Sequence, residues 1–205
     1  MRHTTRTTIK VSLFGATLCA AVGMAEPAKA EPKTHDGFYM QLDAGLGYLS
    51  SKEEIGTQSA TWKGVSLPSQ FLLGGTVGPV VIGGGFVTDY VFSPSYDAGG
   101  SSGSLTGLSL TLFEIGMFAD IYINPHEGLH FQPFVGFGAL SASYKGYTGN
   151  SATGLALGLG GGYDWWVGDE WSIGVMGRIT YAPLSLSGSS YTTIAPALLA
   201  TFTYH

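Results

Sequence analysis

From Phe38 onward the chain alternates. Phe38, Met40, Leu42, Ala44, Leu46 and Tyr48 are apolar, whereas Gln41, Asp43, Gly45 and Gly47, in the other phase with Tyr39, are polar or small. A period of two sends these sets to opposite faces of one strand, so the strand separates two environments. Comparable segments recur over about 68–77, 80–92, 107–123, 130–143, 153–167, 171–182 and 191–204. In the segment at 153–167, Leu155, Leu157, Leu159, Tyr163 and Trp165 oppose Gly158, Gly160, Gly162 and Asp164. No stretch of the chain after residue 30 has the 3.6-residue period of a globular helix.

The connections between the eight segments alternate in length. Gly78-Pro79, residues 124–128 and residues 168–170 are short, while 50–67, 93–106, 144–152 and 183–190 are longer and rich in Ser, Gly and Thr. Short turns at one end and long loops at the other are the pattern of a membrane barrel, with turns in the periplasm and loops outside. The fold class that follows is all-β: an eight-stranded antiparallel up-and-down transmembrane β-barrel. An even strand number brings both ends of the barrel to the turn side.

A soluble barrel also alternates, but it turns its apolar face inward and shows water a polar one. Composition separates the two cases. Charged residues are only 11% of the chain and hydrophobic residues 44%, against about a quarter charged in soluble domains. Ala156, Gly158, Gly160 and Gly162 cannot make a soluble exterior, so the apolar face is predicted to meet lipid. Its aromatics fall near strand ends, as in interfacial girdles: Tyr48, Tyr90 and Tyr181 by the loops, and Phe131, Trp165, Trp171 and Tyr204 by the turns. Arg178 is the sole arginine after residue 30 and lies mid-strand. Facing lipid near the midplane it would cost roughly 2–4 kcal/mol; in the lumen it can pair. Asp43, Asp89, Glu114, Asp120 and Asp164 share the inward phase, and the expectation is a lumenal charge network in which Arg178 pairs with Glu114, Asp89 or Asp43.

The first thirty residues form a separate unit. Arg2, Arg6 and Lys10 precede an apolar run from Val11 to Ala25, and Ala28-Lys29-Ala30 is a small-x-small site. This reads as a secretory signal peptide over 1–30, cut after Ala30 or alternatively after Ala25, which leaves 31–205 as the barrel. Four of the nine cations and one of the fourteen anions leave with it, so the remainder has five cations against thirteen anions, a net of −8. Such a chain is no nucleic-acid binder, which needs a basic surface. The single cysteine, Cys19, leaves as well, so no disulfide framework is expected.

The run Phe38 to Tyr48 resembles the first strand of OmpA-like and OmpW-like outer-membrane barrels, and Gln132-Pro133-Phe134-Val135-Gly136-Phe137-Gly138-Ala139 resembles their mid-barrel strand. Ala200 to Tyr204 resembles the C-terminal signal read by the barrel-assembly machinery, although His205 follows the aromatic. The resemblance implies residence in the bacterial outer membrane after export, with outer-membrane lipids and the assembly machinery as partners and no cofactor.

His126-Glu127-Gly128-Leu129-His130 matches the H-E-x-x-H pattern of zinc proteases. That chemistry needs a helix to align both histidines, but Pro125 and Gly128 flank a strand start, so the reading is a periplasmic turn with a surface histidine and no metal. A lipid-modifying hydrolase would need Ser, His and acid at one interface; the histidines fall at the turn end and the serine-rich loops at the other, so no enzyme is expected. Two membrane functions remain: a structural or surface-interaction barrel with four external loops and a largely plugged polar lumen, or a narrow pore or conduit for small molecules. A soluble ligand-binding barrel of the envelope is a third.

Overall fold

A strand in hydrocarbon must pair on both edges, because no water is present to satisfy its backbone. The computed structural model, which describes residues 33–35 and 37–205, meets this demand by closure. The elements are β1 (Phe38–Ile55), β2 (Gln58–Val77), β3 (Val80–Phe92), β4 (Ser95–Ala98), β5 (Ser101–Ser104), β6 (Leu108–Tyr122), β7 (Leu129–Tyr144), β8 (Tyr147–Thr148), β9 (Ala152–Trp166), β10 (Trp171–Leu186) and β11 (Ser189–Tyr204). Eight long strands, β1-β2-β3-β6-β7-β9-β10-β11, pair antiparallel in chain order, and β11 returns to β1 from Met40↔Tyr204 to Glu54↔Ser190. The protein is an eight-stranded antiparallel up-and-down barrel. The signal segment read at 1–30, with both cleavage positions, lies outside the described residues.

The apolar phase faces out. Phe38, Leu42, Leu46, Phe113, Ile115, Met117, Phe137, Leu159, Trp165 and Leu198 are exposed, and the intervening phase is buried. At the turn end the outward aromatics cluster: the Trp171 ring lies 4.7 Å from Phe202 and 4.8 Å from Tyr204, and Tyr163 lies 5.1 Å from Trp165. Toward the loop end Tyr90 packs 4.4 Å from Phe92, and Tyr48 and Tyr181 are exposed. Phe131 is exposed as well.

The external connections differ from the expectation. Residues 50–67 and 183–190 were predicted as loops, yet β1 runs to Ile55, β2 starts at Gln58, and β10 and β11 continue to within two residues of each other. Ser and Thr supply the composition of a loop, but the turns let the ladder continue. Lys145-Gly146 and Ser187-Gly188 have positive φ at both positions (49° and 86°, 47° and 91°), the two-residue turn whose twist matches paired strands. Residues 93–106 likewise contain the hairpin β4–β5, which adds to the outer half of β2 through Ala60↔Ala98 to Lys63↔Ser95. β2 has 20 residues, whereas about 9–11 span a bilayer, so the barrel wall stands well clear of the membrane on this side.

Closure depends on close backbone approach along the β1–β11 seam. A Cβ built on Gly45 would sit 1.9 Å from the Leu198 carbonyl oxygen, while one on Gly75 meets nothing nearer than 3.8 Å. Gly45→Val is therefore expected to destabilise the barrel by at least ~1–3 kcal/mol, and Gly75→Ala to change it by less than about 0.5 kcal/mol. Urea unfolding in lipid vesicles, followed by tryptophan fluorescence, measures both.

Candidate functional site

An eight-stranded barrel encloses a space just wide enough for its own side chains. Here that space holds a stack of layers. At the turn end the His35 ring stacks on Tyr122 with centroids 3.5 Å apart, and Tyr122 stacks on His130 at 5.2 Å. His205 meets His35 edge-on, with ring nitrogens 3.0 Å apart, and Trp166 lies 4.6 Å from His35. Backbone bonds tie this segment to the turns: Lys33 N–H donates to Asp169 O (2.8 Å), His35 N–H to Pro125 O (3.1 Å) and His205 N–H to Glu170 O (2.9 Å). Burial holds the imidazole of His35 down at about 3 and that of His205 at about 2. The contact explains the preference: two neutral rings can share one N–H, whereas two cations would both be donors.

The next layers hold the acids. Asp120 accepts from the Tyr39 hydroxyl (2.7 Å), from His130 Nδ1 (2.8 Å) and from Gln132 Nε2 (3.2 Å). Gln132 Nε2 also donates to Gln41 Oε1 (2.6 Å), which shares the single Tyr39 hydroxyl proton with Asp120, and Gln41 Nε2 donates to Asp43 (2.8 Å). Asp164 accepts from Thr201 (2.7 Å) and Tyr122 (3.3 Å). One step outward, Gln70 Nε2 donates to Gln132 Oε1 (3.0 Å), Arg178 Nη1 to Gln70 Oε1 (2.9 Å), Arg178 Nη2 to Asp89 (2.8 Å) and Ser66 to Asp89 (3.2 Å). Bonds therefore run unbroken from Tyr39 through Asp120, Gln132, Gln70 and Arg178 to Asp89.

Arg178, Asp43, Asp89, Glu114, Asp120 and Asp164 are all buried in the lumen. Asp89 is the acid in direct contact with Arg178. Glu114 is not bonded to it: neither carboxylate oxygen has a hydrogen-bond partner among the described residues. Glu114 instead lines a cavity of about 10 Å³ with Arg178, Gln70 and Gln132, room for about one water. Glycines on the inner wall give aromatic rings their space. Phe118 lies over Gly83, where a Cβ would come within 2.7 Å of its ring, and Phe134 over Gly158, where a Cβ would come within 3.2 Å of Phe134 Cβ and 3.8 Å of its ring.

Two expectations need correction. The lumen is not polar throughout: outward of Arg178 it is filled by Leu49, Val91, Leu110, Leu112, Leu140, Ala156, Ala182 and Leu184. Beyond them it opens into a vestibule of about 270 Å³. And His130 is not a surface histidine; it is fully buried against Asp120, while His126 is exposed. His126 sits in the turn and His130 in β7, so the two histidines of the H-E-x-x-H match point to opposite environments. Strand phase carried the signal: with Phe131 outward, His130 and Gln132 must face in. The same phase, continued past Thr201 and Thr203, turns His205 inward.

No protein-family model matches the chain, and no curated protein matches it in sequence. Among solved structures, Neisserial surface protein A superposes with a TM-score of 0.55 at 14% identity, covering 82% of this chain and 96% of that one. Ail of Yersinia pestis gives 0.47 at 16% identity, covering 82% and 99%. OprG of Pseudomonas aeruginosa gives 0.46 at 12%, covering 85% and 100%. With the closed eight-strand topology, the first of these sets the class: the chain has the fold of the small OmpA-like outer-membrane β-barrels.

Removing one partner of a buried ion pair leaves the other charge stranded. Arg178→Met is expected to cost about 3–5 kcal/mol, and Asp89→Leu/Arg178→Met to cost less than that single change; urea unfolding in vesicles reads the difference. The histidine contact adds a pH dependence. A released imidazole takes up a proton near pH 6.5, but docked His35 resists until about 3. The released state thus binds more protons between these values, so docking is strongest above pH 6.5 and weakens as pH falls below it. Besides burial, His130 and His126 disfavour a charge on His35 while a hydrogen bond with the Glu127 backbone favours it, and His35 and His130 disfavour a charge on His205. A spin label on Lys33→Cys is expected to gain mobility between pH 7 and 4, and to lose that response in His35→Phe/His205→Phe.

Proposed function

We propose that this protein is a non-enzymatic, non-conducting barrel of the bacterial outer membrane that acts structurally and through its external hairpins. The observation that carries this reading is the plug. Tyr39, Gln41 and Asp43 from β1, Gln70 from β2, Asp89 from β3, Asp120 from β6, His130 and Gln132 from β7, Asp164 from β9, Arg178 from β10 and Thr201 from β11 fill the lumen by direct hydrogen bonds. Every one of the eight strands contributes, so an ion path would require breaking several buried bonds at once. Each such break strands a polar group at a cost of about 1–3 kcal/mol.

The broad belt of exposed Phe, Leu, Ile and Val side chains supports placement in lipid, since soluble monomers rarely show contiguous apolar patches above a few hundred Å². Neisserial surface protein A, which shares the fold, carries a surface location in its name. The partners proposed are outer-membrane lipids around the belt and the barrel-assembly machinery acting on β11. The rigid hairpins present Lys52, Glu54, Tyr144 and Tyr147 outward for surface contacts.

Planar-bilayer recording tests the closed lumen. Protein shown to be folded by its heat-dependent gel mobility is expected to give no recurrent unitary conductance steps in 1 M KCl. Reproducible steps of one size from the same preparation would establish the narrow pore instead.

A further inference from the structure

The plug accounts for the inner part of the lumen but not for the vestibule outside it. This cavity of about 270 Å³ is walled by Leu108, Leu110, Leu140 and Leu186 and is reached from the loop side. Its size suits a small molecule, about nine atoms at the roughly 30 Å³ that each water occupies in the liquid. Apolar walls with few polar groups are the usual form of a ligand site.

The polar group at its rim is specific. Glu53 of β1 accepts a hydrogen bond from the Tyr191 hydroxyl of β11 (2.5 Å) and one from Trp62 Nε1 of β2 (3.3 Å). The two aromatics flank the carboxylate and fix it at the edge of the apolar space. Among the described residues Glu53 is the one charged side chain in the lining. The adjacent Lys52 points the other way and pairs with Glu54 at 2.6 Å. A carboxylate offers about four acceptor positions, and two donors leave capacity for a third. Trp62 and Tyr191 both line the cavity beside it, and their donors hold the carboxylate in place at its edge.

We propose that the vestibule binds a small amphipathic cation: an ammonium group on a short alkyl or aromatic body. The ammonium sits at Glu53 between Trp62 and Tyr191, and the apolar body lies against Leu108, Leu110, Leu140 and Leu186. An anion of the same shape is repelled by Glu53, and a neutral alcohol gains the walls without the charge. The site is independent of whether the plug conducts.

Binding of n-hexylammonium, n-hexanol and n-hexanoate is measured at pH 7 by titration calorimetry. The protein is held in zwitterionic nanodiscs, and heats from empty nanodiscs are subtracted. Saturable binding in the order hexylammonium, hexanol, hexanoate is expected. Glu53→Gln is expected to weaken hexylammonium at least tenfold while shifting hexanol less than twofold. Leu140→Trp, which fills the cavity, is expected to abolish both. Each variant is checked for folding by gel mobility, and folded Tyr191→Phe and Trp62→Phe stand in if Glu53→Gln does not fold, each expected to weaken hexylammonium more than hexanol. The proposal is overturned if hexanoate binds as tightly as hexylammonium, if no probe binds saturably, or if the folded rim variants leave hexylammonium unchanged.

Discussion

The pairing of β1 with β11 is the interaction on which the rest depends. In the bilayer core each unpaired backbone group costs several kcal/mol, and an open sheet would leave two edges of them. Closure removes both edges and fixes two faces at once. The outer face is selected for lipid and tolerates nearly any apolar side chain. The inner face has to fill a narrow cylinder, which is why it mixes glycines with rings and amides. Gly45 shows how tight the seam is, since even a Cβ added there would lie 1.9 Å from the Leu198 carbonyl oxygen.

Inside the cylinder, polarity changes along the axis. The turn half holds acids, amides and imidazoles joined by hydrogen bonds to one another, and the loop half holds leucines and alanines. Arg178 marks the change. Its guanidinium ties Asp89 to Gln70, and just outward the packing becomes aliphatic. A buried charge pair is weak support for stability by itself. Its clearer effect is on register, because a two-residue slide of β10 would carry Arg178 away from both partners.

The architecture was legible in the sequence because period two is unambiguous over eight segments, and the composition of the second face decided which side met lipid. The inward position of Arg178 and the five acids followed from phase alone, but their partners did not. Heights around a tilted barrel depend on stagger, which one sequence does not display, so Asp89 could not be separated from Glu114. Other features were present and unread. Leu110 and Leu112 share the phase of Glu114 and announce an apolar outer lumen. Ser187-Gly188 and Lys145-Gly146 are turn dipeptides that argue against long loops. The meeting of His35 with His205, 170 residues apart, had no local signal.

The two-residue hairpin tips have a consequence for how the cell surface is attacked. Extracellular proteases cut most readily at exposed loop tips, where a segment is free to leave its neighbours and enter a cleft. Where the ladder runs to within two residues of the turn, as at Gly56-Thr57 and Ser187-Gly188, little unpaired chain is offered. The susceptible points on this exterior are the irregular stretches 105–107 and 149–151. Both adjoin the vestibule, through Leu105 and Asn150, so a nick there would open the wall of the cavity and spare the membrane-spanning cylinder.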